Sequence, residues 1–474
     1  MVKEKSPNKY VALLKDTMLF ALSAYLPKLL SFFLVPVYTS CLTTAEYGII
    51  DLVSTTVSFL VPVMTLGIDN STLRFTIEDK ENKKPYQISF KIVMIGILIM
   101  SWAVVFNNIL NVIKVDPIYQ VYFWIIYCMK VLSGINAAFL RAKDKVALLS
   151  VTSIIHSFLF MLSNIVTLCF LKLGLKGYIF SDIFGILASN LIVIYKIDLK
   201  KLLKGFWEPV KELEKQMLEY SVPLVASSIA WWINSASDKY FILYLCGVAA
   251  NGIYSVAYKI PTILKLLQSV FYQAWILSIY KEYDKENGKQ YVSKIYDLYN
   301  GAIVMGCSVI ILLNIPLSRF LYAKDFFEAW EYVPALLISI VFVANAGFYE
   351  SILSVFKKTK TLALTTVVGA VVNTVLNFVL IYSIGVQGAA IATAVGYFVM
   401  WIAKIPVVHR LYDFHVNWIK HGALILLLVV QAFIMINYQN YYIGGLIFAV
   451  LFILNYKAVV GAMVEISKKI KKKW

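Results

Sequence analysis

Four lysines, Lys28, Lys130, Lys259 and Lys265, fall deep inside apolar runs, as do the carboxylates Asp51, Asp182, Asp238 and Glu350. Charge at bilayer depth is costly and marks a substrate path, an ion path or a buried pair. Lys28 follows Pro27 and lies eight residues before Pro36. Its helix should therefore be kinked, with freed backbone carbonyls near the ammonium. Lys259 and Lys265 flank Pro261 in another run. Lysines converging at mid-depth would attract an anion, and the apolar faces around them would accept a lipid tail; a lipid-linked phosphate compound meets both conditions. The alternative for each lysine is a structural pair with one of the carboxylates. Lys15, Lys91, Lys404 and Lys457 lie nearer the ends of their runs and are expected to snorkel.

A second pattern is Ser227, Trp231, Asn234 and Asp238, spaced by 4, 3 and 4 residues and so sharing one helical face. Such a stripe could line a wet cavity, with Trp231 stacking on a sugar ring, or it could join helices through hydrogen bonds. Asp182, Asp238 and Glu350 are the candidates for coupling a proton or sodium ion. Asp238 is followed by Lys239, which would partly neutralise it. The five cysteines are scattered without a C-x-x-C pair, and the four histidines form no H-E-x-x-H. No G-x-x-x-x-G-K-[ST] loop is present. Hence no metal, catalytic residue, cofactor or ATP site is expected.

The elements that hold these residues follow from composition. Of 474 residues, 60% are hydrophobic and 15% charged, and mean hydropathy is +0.75. That excludes large soluble domains and predicts an all-α polytopic membrane protein. The net charge of +17 sits mostly in short segments between apolar runs, so it reads as topology rather than nucleic-acid binding. Fourteen spans are expected, at 10–37, 45–69, 88–110, 118–140, 147–171, 176–197, 218–246, 249–279, 293–314, 332–356, 361–383, 386–408, 419–437 and 441–463. Nearly all the basic residues outside the spans fall on one side, which places both termini in the cytoplasm.

Within the spans is a repeat. Leu173-Gly174-Leu175-Lys176-Gly177 with Gly185 matches Ile384-Gly385-Val386-Gln387-Gly388 with Gly396, 211 residues on. The segments beginning at Ala45 and Lys143 match those beginning at Ala249 and Lys358 at similar offsets. Two parallel six-span lobes result, an arrangement found in transporters with the substrate site between the halves. The expected organisation is an N-lobe at 1–198, a linker at 199–216, a C-lobe at 217–410 and two peripheral spans with a basic tail at 411–474. The linker alternates Lys200, Lys201 and Lys204 with Leu202, Leu203 and Phe206, and is expected to be a cytoplasmic interfacial helix.

The stretch from Pro36 and Tyr38 through Thr43-Thr44-Ala45-Glu46-Tyr47-Gly48, continuing to Leu66-Gly67-Ile68 and Arg74-Phe75, resembles the bacterial polysaccharide flippases. Asp238-Lys239 followed by Gly252-Ile253-Tyr254 and Tyr258-Lys259-Ile260-Pro261 resembles the same family in the second half. That family exports lipid-linked repeat units of O-antigen, capsule or wall polysaccharide, and shares a superfamily with multidrug exporters and the lipid II flippase. The resemblance implies alternating access between two lobes in the bacterial plasma membrane. It also implies a lipid-linked oligosaccharide as substrate, with the pathway's polymerase and glycosyltransferases as partners. By comparison with the lipid II flippase, it places Lys28, Lys259 and Lys265 at the anionic head group. The first basic residue in or after span 2 is Arg74, at its cytoplasmic end, so a third contact expected there is not matched. A multidrug exporter is the alternative, and a membrane glycosyl polymerase or acyltransferase is more remote because the longest outward loop, 315–331, is short.

The orientation predicts that single cysteines placed at Lys80, Lys143, Lys285, Lys358 and Ile470, in a cysteine-free background, stay protected from impermeant thiol reagents in intact cells. Labelling at two or more of these sites would overturn it.

Overall fold

Helix follows helix along the chain, because hydrocarbon offers the backbone no water to bond and a helix satisfies its polar groups internally. A computed structural model describes residues 26–111, 115–208 and 210–471, with side chains described as far as 456; the described residues contain no strand. Eleven of the helices are long and apolar enough to cross a membrane. Shorter apolar helices occupy Leu26–Cys41, Val248–Ala257 and Tyr441–Tyr456. The fold is thus the expected all-α polytopic one, while the expected count of fourteen exceeds what length and composition establish. Lys15 and most of the first expected span lie outside the described residues, as does the side chain of Lys457.

The chain divides into two compact units, Met1–Trp232 and Ile233–Trp474. In the first, α1 (Val35–Cys41) continues helical residues 26–33 after a break at Leu34. Pro36 stands at the start of α1, the kink its ring predicts. Then come α2 (Thr44–Met64), α3 (Ile68–Glu78), α4 (Lys84–Leu110) and α5 (Pro117–Ala142). The run α6 (Val146–Asn164) passes into a π-helical turn at Ile165–Phe170, followed by α7 (Gly174–Ile197) and a short α8 (Leu199–Leu202). The core gathers on α5, where Tyr122, Ile126, Tyr127 and Val131 are buried against the α4 residues Tyr86, Ile92 and Val93. The long helix α9 (Lys211–Cys246) runs across the sequence boundary between the units.

The second unit contains α10 (Val248–Ala257), α11 (Lys259–Glu282), α12 (Gly288–Leu312) and α13 (Asn314–Leu321). A 3-10 turn at Lys324–Glu331 leads to α14 (Val333–Val355), α15 (Thr359–Ile384), α16 (Val386–Leu411), α17 (Trp418–Asn437) and α18 (Tyr441–Lys471). Here α14 is the hub. Of its most apolar stretch 83% is buried, against 17% for α11. Span 2 is one helix, Thr44–Met64, ending at a turn, while span 8 is interrupted. The turn holds Gly67, which takes a left-handed conformation (φ +60°), and span 8 breaks at Tyr258, three residues before Pro261.

Several motifs that carried the resemblance prove to be helix caps. Glu46 accepts from the Thr43 N–H at 2.8 Å while the Thr43 hydroxyl accepts from the Glu46 N–H at 3.2 Å, a reciprocal cap on α2. The other Glu46 oxygen accepts from the Leu175 N–H at 3.3 Å, so one carboxylate serves the starts of both α2 and α7. The repeat is visible in the same detail. The Lys145 and Lys358 N–H groups bond the carbonyls of Leu140 and Leu353, at 2.8 and 2.9 Å, while the residues just before them, Asp144 and Lys357, take φ of +56°. This equivalence sets the repeat two residues off the register that the lysines alone suggest. Gly174 and Gly385 both have positive φ, +55° and +66°, at the starts of α7 and α16. Past them, Gly177 and Gly185 let α7 approach the side chains of Thr167 and His156, and in α16 Gly388 lets the helix approach the Leu380 backbone and Gly396 the Asn373 side chain.

The expected linker helix at 199–216 is not one helix. Only Leu199–Leu202 is helical before a turn through Gly205 (φ +81°), and its last residues already belong to α9. Helix α17, expected to be peripheral, is fastened to α12 by polar contacts. Lys420 reaches Asp297 at 2.8 and 2.9 Å, His421 meets Asn300 at 2.6 Å, and Ser308 donates to Gln431 at 2.7 Å.

A Cβ at Gly388 would run into the Leu380 backbone, whereas one at Gly134 meets nothing within 4 Å. Gly388→Ala should therefore destabilise the protein by about 1–3 kcal/mol, while Gly134→Ala should be neutral or stabilising by up to about 1 kcal/mol. Thermal unfolding in detergent checks the pair; equal midpoints would contradict the packing.

Candidate functional site

Each unit carries a carboxylate closed in by tyrosines, half-buried in the first unit and buried in the second. In the first unit, Asp182 on α7 accepts from the Tyr122 hydroxyl on α5 at 2.8 Å. Tyr38 and Tyr178 meet edge to face beside it, 5.5 Å between ring centres, and Phe160 packs on Tyr178 at 5.6 Å. Lys130 and His156 lie within electrostatic reach of the carboxylate. Helices α1, α5, α6 and α7 thus bring together two residues singled out by sequence, Asp182 and Lys130. Tyr38, Tyr122, Tyr178 and His156 were not singled out.

In the second unit, Asp238 on α9 is 3% exposed. It accepts from the hydroxyls of Tyr254 at 2.8 Å and Tyr258 at 3.0 Å, and from the Lys239 N–H at 2.9 Å. The two hydroxyls are also 3.2 Å apart. Tyr254 and Tyr258 are one helical turn apart at the junction of α10 and α11, so the break at Tyr258 sits on the site. Three donors thus converge on this one carboxylate, two of them on the same oxygen.

Along the stripe of α9 the surroundings change. Ser227 and Trp231 are exposed, Trp231 by 43%, while Asn234 and Asp238 are buried and Asn234 donates to the Thr366 carbonyl at 3.5 Å. The stripe thus divides: its first half is exposed, and its second half joins helices.

The lysines differ in setting. Lys28 and Lys265 are exposed, whereas Lys130 and Lys259 are half-buried. Lys259 and Lys265 are six residues apart on α11, about 120° apart around the helix, so they do not share a face.

Glu350 on α14 is paired with Lys404 on α16 at 3.4 Å, and the lysine side chain is 0% exposed. Lys404 thus does not snorkel as expected. It is the structural pair, because a fully covered ammonium has no water to reach and keeps its charge only beside a carboxylate. Sequence reasoning also passed over Asp297, which Lys420 grips through both oxygens and His421 approaches at 3.5 Å. The signal was there in two basic residues opening span 13 opposite an acid near the start of span 9. Among the described residues no cluster of His, Cys, Asp or Glu has the makings of a metal site.

Two helical units built from long apolar helices define the class: an all-α polytopic membrane protein. Residues 13–276 match the family model for polysaccharide biosynthesis proteins, and the chain belongs to that family. Among solved structures it is similar to the lipid II flippase MurJ in an inward closed conformation, with 13% identity and a TM-score of 0.70 over 94% of this chain and 100% of that one. It is similar to an inward-facing multidrug resistance MATE family transporter of the MOP superfamily, with 13% identity and a TM-score of 0.66 over 84% of this chain and 95% of that one. A MOP superfamily transporter from Pyrococcus furiosus Vc1, described as having a binding pocket of reverse polarity, matches at 13% identity and a TM-score of 0.58 over 87% and 96%. No curated protein matches the sequence.

Removing one member of the Glu350–Lys404 pair strands the other. Lys404→Met or Glu350→Gln alone should cost about 3–5 kcal/mol, and the double variant markedly less. Thermal unfolding of the purified variants checks this, and additive losses would contradict a buried pair.

Proposed function

We propose that this chain is a flippase that moves a lipid-linked oligosaccharide, carried on a polyprenyl diphosphate, across the bacterial plasma membrane by alternating access, with both termini cytoplasmic. The observation that carries the reading is membership of the polysaccharide biosynthesis family over residues 13–276. The fold shared with a protein named a lipid II flippase supports a lipid-linked substrate. Lys28, Lys259, Lys265 and Lys130 are proposed to meet the diphosphate, and Ser227 and Trp231 the sugars. The open setting of Lys28, Lys265, Ser227 and Trp231 supports that assignment. Lysines suit an anionic head group better than a cationic drug, which argues against a multidrug exporter. The polymerase and glycosyltransferases that consume and supply the substrate are the proposed partners.

Asp182 and Asp238 are the proposed coupling residues if an ion is exchanged. Glu350 is the least suited of the three candidates, since Lys404 already occupies it. The substrate also carries its own driving force. An electric field across the membrane is worth about 2.3 kcal/mol per charge per 100 mV, and outward movement of an anion from a negative interior is downhill.

Lys28→Ala or Lys265→Ala should abolish export, roughly tenfold or more, while leaving the protein in the membrane, and Lys→Arg should retain more activity than Lys→Ala. Surface glycan measured in the native host checks this, and normal export by both Ala variants would contradict a cationic site. In liposomes with a potassium-diffusion potential and no proton or sodium gradient, flipping should follow the sign and size of the potential. Indifference to both would point instead to Asp182 and Asp238.

A further inference from the structure

The segment between α7 and α9 carries a surface with chemistry of its own. Tyr195 and Trp207 are 81% and 90% exposed, and Lys196, Lys200, Lys201 and Lys204 are exposed around them. Its other face is turned inward. Leu202 is buried, and Phe206 packs edge-on against Phe90 of α4 at 6.0 Å. The segment is also fastened. The Gln87 amide donates to the carbonyls of Leu202 and Lys204 at 2.8 and 3.0 Å, and Lys84 Nζ donates to the Gly205 carbonyl at 3.0 Å.

Neither acid of the segment forms an ion pair with the four lysines. Asp198 accepts from the backbone N–H of Lys201 at 3.4 Å, and Glu208 is held by Lys84 Nζ at 2.6 Å. The Lys84 ammonium keeps the Glu208 carboxyl below its usual range. Lys196, Lys200, Lys201 and Lys204 make no ion pair among the described residues. Chain continuity sets the depth: α7, an apolar span, ends at Ile197 and α8 starts at Leu199. Aromatic rings with one wet edge beside uncompensated ammonium groups, at the mouth of a span, suit the headgroup layer better than bulk water.

We propose that residues 195–207 form a docking surface for acidic phospholipid headgroups of the cytoplasmic leaflet, with Trp207 and Tyr195 set into the interface and Lys196, Lys200, Lys201 and Lys204 on the phosphates. Because the segment is bonded to α4, the lipid contact anchors that helix and the unit around it. Each lysine near an anionic surface contributes on the order of a fivefold gain in affinity, so removing three should weaken the contact on the order of 100-fold.

The test uses the full-length, cysteine-free protein with Trp207→Cys carrying an environment-sensitive bimane. It is reconstituted in vesicles of phosphatidylcholine alone or mixed with phosphatidylglycerol. The expected result is blue-shifted emission in the mixed vesicles, reversed by salt, absent in Lys200→Gln/Lys201→Gln/Lys204→Gln and kept in the corresponding triple Arg variant. Identical emission in both vesicles, a response kept by the Gln variant, or one lost in the Arg variant would each overturn the proposal.

Discussion

Charge that leaves water must find its partners within the protein, and in this chain that constraint decides which ionisable residues can act. Where a carboxylate is met by a fully covered ammonium, as Glu350 is by Lys404, the result is an ionic joint between α14 and α16. Where it is met by hydroxyls, as Asp182 is by Tyr122 and Asp238 by Tyr254 and Tyr258, its charge is supported without being cancelled. One fold thus holds its acids in two kinds of setting, one ionic and one hydroxyl-lined.

The same constraint places the helix breaks. A span can interrupt its ladder of hydrogen bonds only where other groups take over, and α10–α11 breaks at Tyr258, whose hydroxyl binds Asp238. The turn at Gly67 stands close to α9, with Ser221 and Val225 as its nearest neighbours.

Much of the fold was legible in the sequence because hydrophobic length and the sidedness of lysines are local signals. The repeat was legible through Gly174 and Gly385, whose positive φ few other residues accept. The partners were not. Glu350 and Lys404 are 54 residues apart, and nothing local tells a snorkelling lysine from one covered by its neighbours. The tyrosines were hidden for a different reason. With 31 of them in the chain, Tyr122, Tyr254 and Tyr258 look like ordinary apolar filling until the fold aims their hydroxyls at a carboxylate. Glu46 shows the converse: a motif residue that suggested function serves two helix starts.

The central claim is that a lipid-linked glycan is what crosses the membrane through this chain. Deletion in the native host, followed by analysis of the lipid-linked oligosaccharides in each leaflet, tests it most directly. The account predicts that a complete repeat unit on its polyprenyl diphosphate accumulates on the cytoplasmic leaflet while surface polysaccharide is lost. Unchanged lipid-linked glycans in both leaflets, with a change only in the efflux of cationic drugs, would contradict it.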